Sequence, residues 1–206
     1  DADGKLRLSH GTNLAKEFNS VSSNAVFSDG QNDWIHCVAT FTKASNTTGT
    51  QKIYANGVEV GSSSSPSADW NLANYTNTYN LYIGARNQND SAEQKFKGQI
   101  SGVSIWNTAL SSTEISELYN IDKRSSVSGH SKFSNCVGSW LMGAGTGDTA
   151  SIIQDQTSNN NDGTVVGASL VGYNNGTVSG SPASVLIPES NLIDTYISGS
   201  TYVDRD

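Results

Sequence analysis

Apolar residues recur along the first half of the chain at strand spacing. Residues 5–8 (KLRL) alternate polar and apolar, and residues 24–27 (NAVF) form a short apolar run. Residues 34–42 (WIHCVATFT) are apolar on both faces, with Trp34 and Val38 on one and Ile35, Cys37, Ala39 and Phe41 on the other. A strand covered on both sides has this pattern. In KIYANGVEVG (52–61), Asn56-Gly57 separates two short apolar runs. That dipeptide predicts a two-residue hairpin, because a type I′ turn needs positive φ at both central positions. LYIGA (81–85) predicts another strand. Ile100, Val103, Ile105 and Trp106 predict one more, and the differing parity of Ile100 and Val103 places a bulge near Ser101-Gly102.

The period then changes. Ser111 with Glu114 fits a capping box, and Leu110 with Ile115 fits the hydrophobic staple around it. Ile115, Leu118 and Tyr119 lie at i, i+3 and i+4, one apolar stripe on a helix of about two turns. A helix that short must dock on something larger. Residues 121–135 (IDKRSSVSGHSKFSN) are polar, as a linker or long loop would be. Beyond them stand weaker strand candidates at 137–142, 151–153, 163–167, 184–188 and 193–197, separated by Gly- and Asn-rich turns. The expected division is a β unit over 1–121, a linker over 122–135, and a loop-rich β segment over 136–206. That last segment either completes the first unit or starts a second module.

Composition narrows the function. Net charge is −7 and no basic run stands out, which argues against nucleic acid as a partner, since it demands a Lys/Arg footprint. No stretch reaches the roughly 20 apolar residues of a membrane span. Charged residues make up only 15%, so polarity comes from Ser, Thr, Asn and Gly, as in many secreted, surface and virion proteins. Cys37 and Cys136 are the two cysteines. A disulfide between them is possible by count, but Cys37 inside an apolar strand reads first as a buried thiol. The chain shows no signal peptide and does not start with Met, so a processed product or a piece of something longer is expected.

The ordered motifs WIHCVATF (34–41), IYANGVEV (53–60), LYIG (81–84) and FKGQISGVSIWNTALSSTEI (96–115) resemble the laminin G-like domains, of the concanavalin A-like lectin/glucanase and pentraxin-like group. The resemblance covers roughly residues 25–120. It implies an all-β jelly-roll sandwich of two antiparallel sheets with one short helix after the last motif strand. Members usually open with an aromatic "f.i..W" motif, which is missing before residue 25. Residues 138–170 instead resemble such a beginning. The first strands are therefore lost, supplied elsewhere, or replaced by the late segment. This order of segments is also similar to large structural proteins of tailed bacteriophages.

Candidate chemistry is sparse. Glycosidases of this fold need an E-x-D-x-E type carboxylate arrangement on one strand, and none occurs, so a non-enzymatic protein is expected. His10, His36 and His130 lack metal-ligand spacing, and His36 reads as a packed, hydrogen-bonded residue. The loop 85–94 (ARNQNDSAEQ) resembles the pentraxin loop that supplies calcium oxygens. Asn87, Asn89, Asp90 and Glu93 are the candidate ligands for a calcium ion, against a plain solvated loop. The clusters DGQND (29–33) and DQTSNNND (155–162) read first as turns. Trp70, Tyr75 and Tyr79 in a long polar loop could stack on sugar faces or form a protein interface, or pin that loop to the core. Sequons occur at Asn46, Asn74, Asn89 and Asn175.

The leading expectation is a non-catalytic structural or adhesive module on a particle surface, such as a phage decoration, appendage or tail-fibre protein. It would touch neighbouring subunits or host glycans, as a homo-oligomer or part of a larger assembly. The alternative is a secreted, extracellular, calcium-assisted carbohydrate-binding lectin-like domain.

Overall fold

A computed structural model of the protein describes residues 4–11, 17–22, 24–28, 33–44, 49–65, 80–88, 91–121, 125–171, 184–186 and 200–204. Antiparallel strands are the main regular structure of the described residues. The N-terminal ones are β1 (Arg7–Gly11), β2 (Glu17–Val21), β3 (Ile35–Lys43), β4 (Gly49–Ala55) and β5 (Val58–Ser65). They are followed by β6 (Arg86–Gln88), β7 (Ser91–Glu93), β8 (Gln99–Trp106) and helix α1 (Ser112–Asn120). Further on come β9 (Cys136–Trp140), β10 (Ile152–Ile153), β11 (Gly163–Thr164), β12 (Ser169–Val171), β13 (Ser184–Leu186) and β14 (Ser200–Asp204).

One eight-stranded sheet dominates, in the order β12-β13-β8-β14-β3-β4-β5, with β9 also on β8. The pairs β1-β2, β6-β7 and β10-β11 are separate two-stranded ribbons. The expected two-sheet jelly-roll sandwich is therefore not the fold seen: among the described residues no sheet closes on another. The physical reason lies in what covers β3. On one face Val38 packs with Tyr54, Leu110, Ile115 and Leu118, so the cover is α1. On the other, Ile35, Cys37 and Ala55 meet Leu6, Val26, Phe27, Val60 and Phe96. That cover comes from the segment leading into β1, the loop at 24–28 and the approach to β8. β2 also lies against β4 and β5. Among the described residues, the both-faces-apolar pattern of 34–42 is accounted for by these covers and not by a second full sheet.

Local signals hold well elsewhere. The β4-β5 hairpin turns at Asn56 (φ 50°) and Gly57 (φ 79°), as a type I′ turn requires. The Asn56 Oδ1 accepts from the His36 N–H at 2.9 Å, and the Asn56 N–H donates to the His36 carbonyl at 2.8 Å. Gly57 lies against the Tyr119 ring, where an added Cβ would sit 3.2 Å from it. The turn is thus fixed between β3 and the helix.

β8 carries the expected bulge. Its pairing with β14 slips between Ser104↔Ser200 and Ser101↔Tyr202, and Gly102 has φ 59°. The extra residue lets Ile100 and Val103, of opposite parity, both enter one cluster with Trp140, Met142 and Ile153. Along its other edge β8 pairs first with β13 (Gln99, Ile100) and then with β9 (Val103 to Trp106).

α1 starts as its sequence demands. The Ser111 N–H donates to Glu114 Oε2 at 2.7 Å, and the Glu114 N–H donates to Ser111 Oγ at 3.4 Å. Leu110 and Ile115 are both buried in the same cluster, which is the staple. Full burial of Ile115 is worth about 2–3 kcal/mol. Within the expected linker, 3-10 turns at Val127–Gly129 and Phe133–Asn135 bring a buried His130 up to the Glu114 carbonyl.

LYIGA is not a strand. Residues 83–85 are bends, Gly84 has φ 80°, and Leu81 and Ile83 are 59% and 38% exposed. With neither side chain buried, nothing selects a strand register there. Pairing begins only at Arg86.

Candidate functional site

A groove of about 270 Å³ lies between the C-terminal half of β3 and the segment joining β8 to α1. β3 contributes Thr40 and Phe41, the end of β8 contributes Trp106, and the joining segment contributes Asn107 and Thr108, with Leu110 also lining it. Phe41 and Trp106 are half-buried, while Asn107 and Thr108 are exposed. Among the described residues, the lining contains no charged side chain. Two aromatic rings with hydroxyls and an amide suit a neutral ligand that has both an apolar face and polar edges.

Several contacts fix this wall. The Trp106 Nε1–H donates to Ser104 Oγ at 3.0 Å. Its ring lies 4.8 Å from the His130 ring, inclined at 60°. The Asn107 N–H donates to the Asn135 carbonyl at 2.9 Å, and Asn135 Nδ2 donates to Asn107 Oδ1 at 2.9 Å. The capping box fixes where α1 starts, and with it the Asn107–Leu110 turn.

Most of the expected site residues fall outside the described set. Trp70, Tyr75 and Tyr79 lie outside the described residues, as do Asn89, Asp90 and the sequons at Asn46, Asn74 and Asn175. Asn87 is in β6, its side chain again outside the described set. Glu93 ends β7, exposed, opposite Arg86 in register. Among the described residues, no group of three or more His, Cys, Asp or Glu is placed to hold a metal. Sequence reasoning passed over the groove residues. The signal was present in Trp106-Asn107-Thr108, an aromatic with an amide and a hydroxyl directly before a helix cap.

The acidic stretch 155–162 forms a turn. Asp155 Oδ1 accepts from the Ser139 and Thr157 N–H groups at 2.9 and 3.0 Å, and Oδ2 accepts from the Asn161 N–H at 3.0 Å and the Thr157 hydroxyl at 2.9 Å. Burial works to raise the Asp155 carboxyl, but these donors outweigh it and hold the group below the usual carboxylate range. Buried Asp148 is engaged likewise. Its Oδ2 accepts from Gly143 and Gly145 N–H groups at 2.8 and 3.0 Å, and its Oδ1 from the Gln154 N–H at 2.7 Å. Acids committed to main-chain donors this way shape loops.

His36 is buried and stacked on Tyr119, with centroids 5.6 Å apart. Burial lowers its pKa to about 4, so it is neutral at ordinary pH. Cys37 and Cys136 are both free and buried, with no disulfide. Burial pushes the Cys37 thiol far up and the Cys136 thiol up to about 11, which leaves both unreactive.

Residues 1–116 match the Concanavalin A-like lectin/glucanases superfamily, and the chain belongs to it. No curated protein and no solved structure matches the chain. The superfamily match does not bear on the expected place in a phage particle. Among the described residues no helix is long and apolar enough to cross a membrane.

Proposed function

We propose that this chain is a non-catalytic carbohydrate-binding module of the extracellular space, and that the groove between β3 and α1 receives the sugar. The observation that carries this reading is the lining itself. Phe41 and Trp106 line it together with Thr40, Asn107 and Thr108, and among the described residues none of the lining is charged. A pyranose has the matching character, with apolar C–H faces and hydroxyl edges. Superfamily membership supports the sugar class, although a fold alone does not assign a function. A calcium-assisted form of this reading places the ion at Asn87, Asn89, Asp90 and Glu93.

The test is a glycan array with the full chain, with and without EDTA, repeated with Trp106→Ala and Thr108→Val. Wild type is expected to bind neutral glycans. Loss of the indole face removes about 1–2 kcal/mol, or about tenfold in affinity. EDTA sensitivity supports the calcium form, and insensitivity supports the groove alone. Absence of glycan binding by wild type, or binding that both variants leave unchanged, overturns the proposal.

A further inference from the structure

His130 is a buried imidazole with both ring nitrogens committed. Nδ1 accepts the Lys132 N–H at 3.0 Å. A backbone N–H can only donate, so Nδ1 carries no proton. The proton is therefore on Nε2, which donates to the Glu114 carbonyl in the first turn of α1 at 2.9 Å. The ring's flank meets the Trp106 indole, whose own N–H is held by Ser104 Oγ. Trp106 is thus clamped from two directions, one of them an element tied to the helix.

We propose that His130 is a positioning residue for the groove: bonded at both nitrogens, it holds the Trp106 ring as a fixed wall. The inference rests on the groove reading for its biological meaning, though not for its test. Glu117 Oε2 of α1 is 3.8 Å from Nε2, and that carboxylate is itself held by the Ser131 N–H and hydroxyl, both at 2.6 Å. The Glu114 carboxylate faces Lys132 Nζ at 3.5 Å. The imidazole is thus seated between α1 and the Lys132 main chain, with the Trp106 indole of β8 against its flank. A preordered ring binds without a further ordering cost, so a Trp106 ring that has lost the His130 contact gives a weaker site.

The test needs no sugar. Emission of Trp106 is isolated as the difference between wild type and Trp106→Phe, and its acrylamide quenching is compared across variants at one fixed pH. Wild type is expected to show low accessibility, and His130→Ala high accessibility. His130→Asn places an amide oxygen where Nδ1 stood, so it should keep the low accessibility. That variant decides the matter if the alanine form fails to fold. High Trp106 accessibility in folded His130→Asn, or equal accessibility in folded His130→Ala and wild type, overturns the proposal. Failure of glycan binding alone overturns the groove reading and leaves this clamp standing.

Discussion

Burying a neutral imidazole in the middle of a sheet makes stability depend on pH in a defined direction. His36 lies in β3 at 1% exposure, and burial lowers its pKa from 6.5 to about 4. In the unfolded chain the same side chain takes up a proton near pH 6.5. Between those values the unfolded state binds more protons than the native one, so stability rises with pH across this window. The contribution is fully present above about pH 6.5 and is lost progressively as pH falls towards about 4. At about 1.4 kcal/mol per pH unit for one proton, the gap amounts to about 3 kcal/mol. The assay is urea denaturation at close pH steps on wild type and His36→Phe. Phenylalanine keeps a ring against Tyr119 and cannot titrate. The readout is the difference in slope, so any change in absolute stability cancels, as do the contributions of His10 and His130. Wild type should be steeper by up to about 1.4 kcal/mol per pH unit within the window. Parallel slopes would show that His36 is not held neutral by burial, and the reasoning would fail.

Other outcomes follow from the same packing. Ile115→Ala empties a fully buried site beneath α1 and should cost about 3 kcal/mol by denaturant titration. Asp155→Asn leaves an amide N–H opposed to main-chain donors at Ser139, Thr157 or Asn161, and should cost about 2 kcal/mol. Gly57→Ala forces a side chain onto φ 79° against Tyr119, and a fall in midpoint equivalent to about 1 kcal/mol or more is expected. Thiol reagents should label Cys37 only under denaturing conditions, because it is buried and its pKa is raised.

The features legible in the sequence were those specified by neighbours in the chain. Asn56-Gly57 needs only two residues to define its turn. Ser111, Glu114, Leu110 and Ile115 specify the helix start among themselves. The parity conflict of Ile100 and Val103 gave the bulge without knowledge of any partner strand. What the sequence hid was pairing at long range. Nothing local says that β13, β14 and β9 all come to β8, and that choice decides between a sandwich and one broad sheet with small ribbons. LYIGA misled because its β-favouring residues lack a face to bury. The groove escaped notice because its walls, Thr40-Phe41 and Trp106-Asn107-Thr108, are far apart in sequence and each looks ordinary alone.

The place of β14 has a kinetic consequence. Ser200–Asp204 is inserted between β3 and β8, so two strands made early wait for one made much later. Contacts this distant in sequence slow folding, because the intervening chain must lose its freedom before the ladder rewards it. During the wait, β3 and β8 each present a row of unsatisfied main-chain groups, open to any passing strand. Chaperone dependence, and aggregation seeded by β3 when β14 is withheld, are the expected marks of such an assembly order.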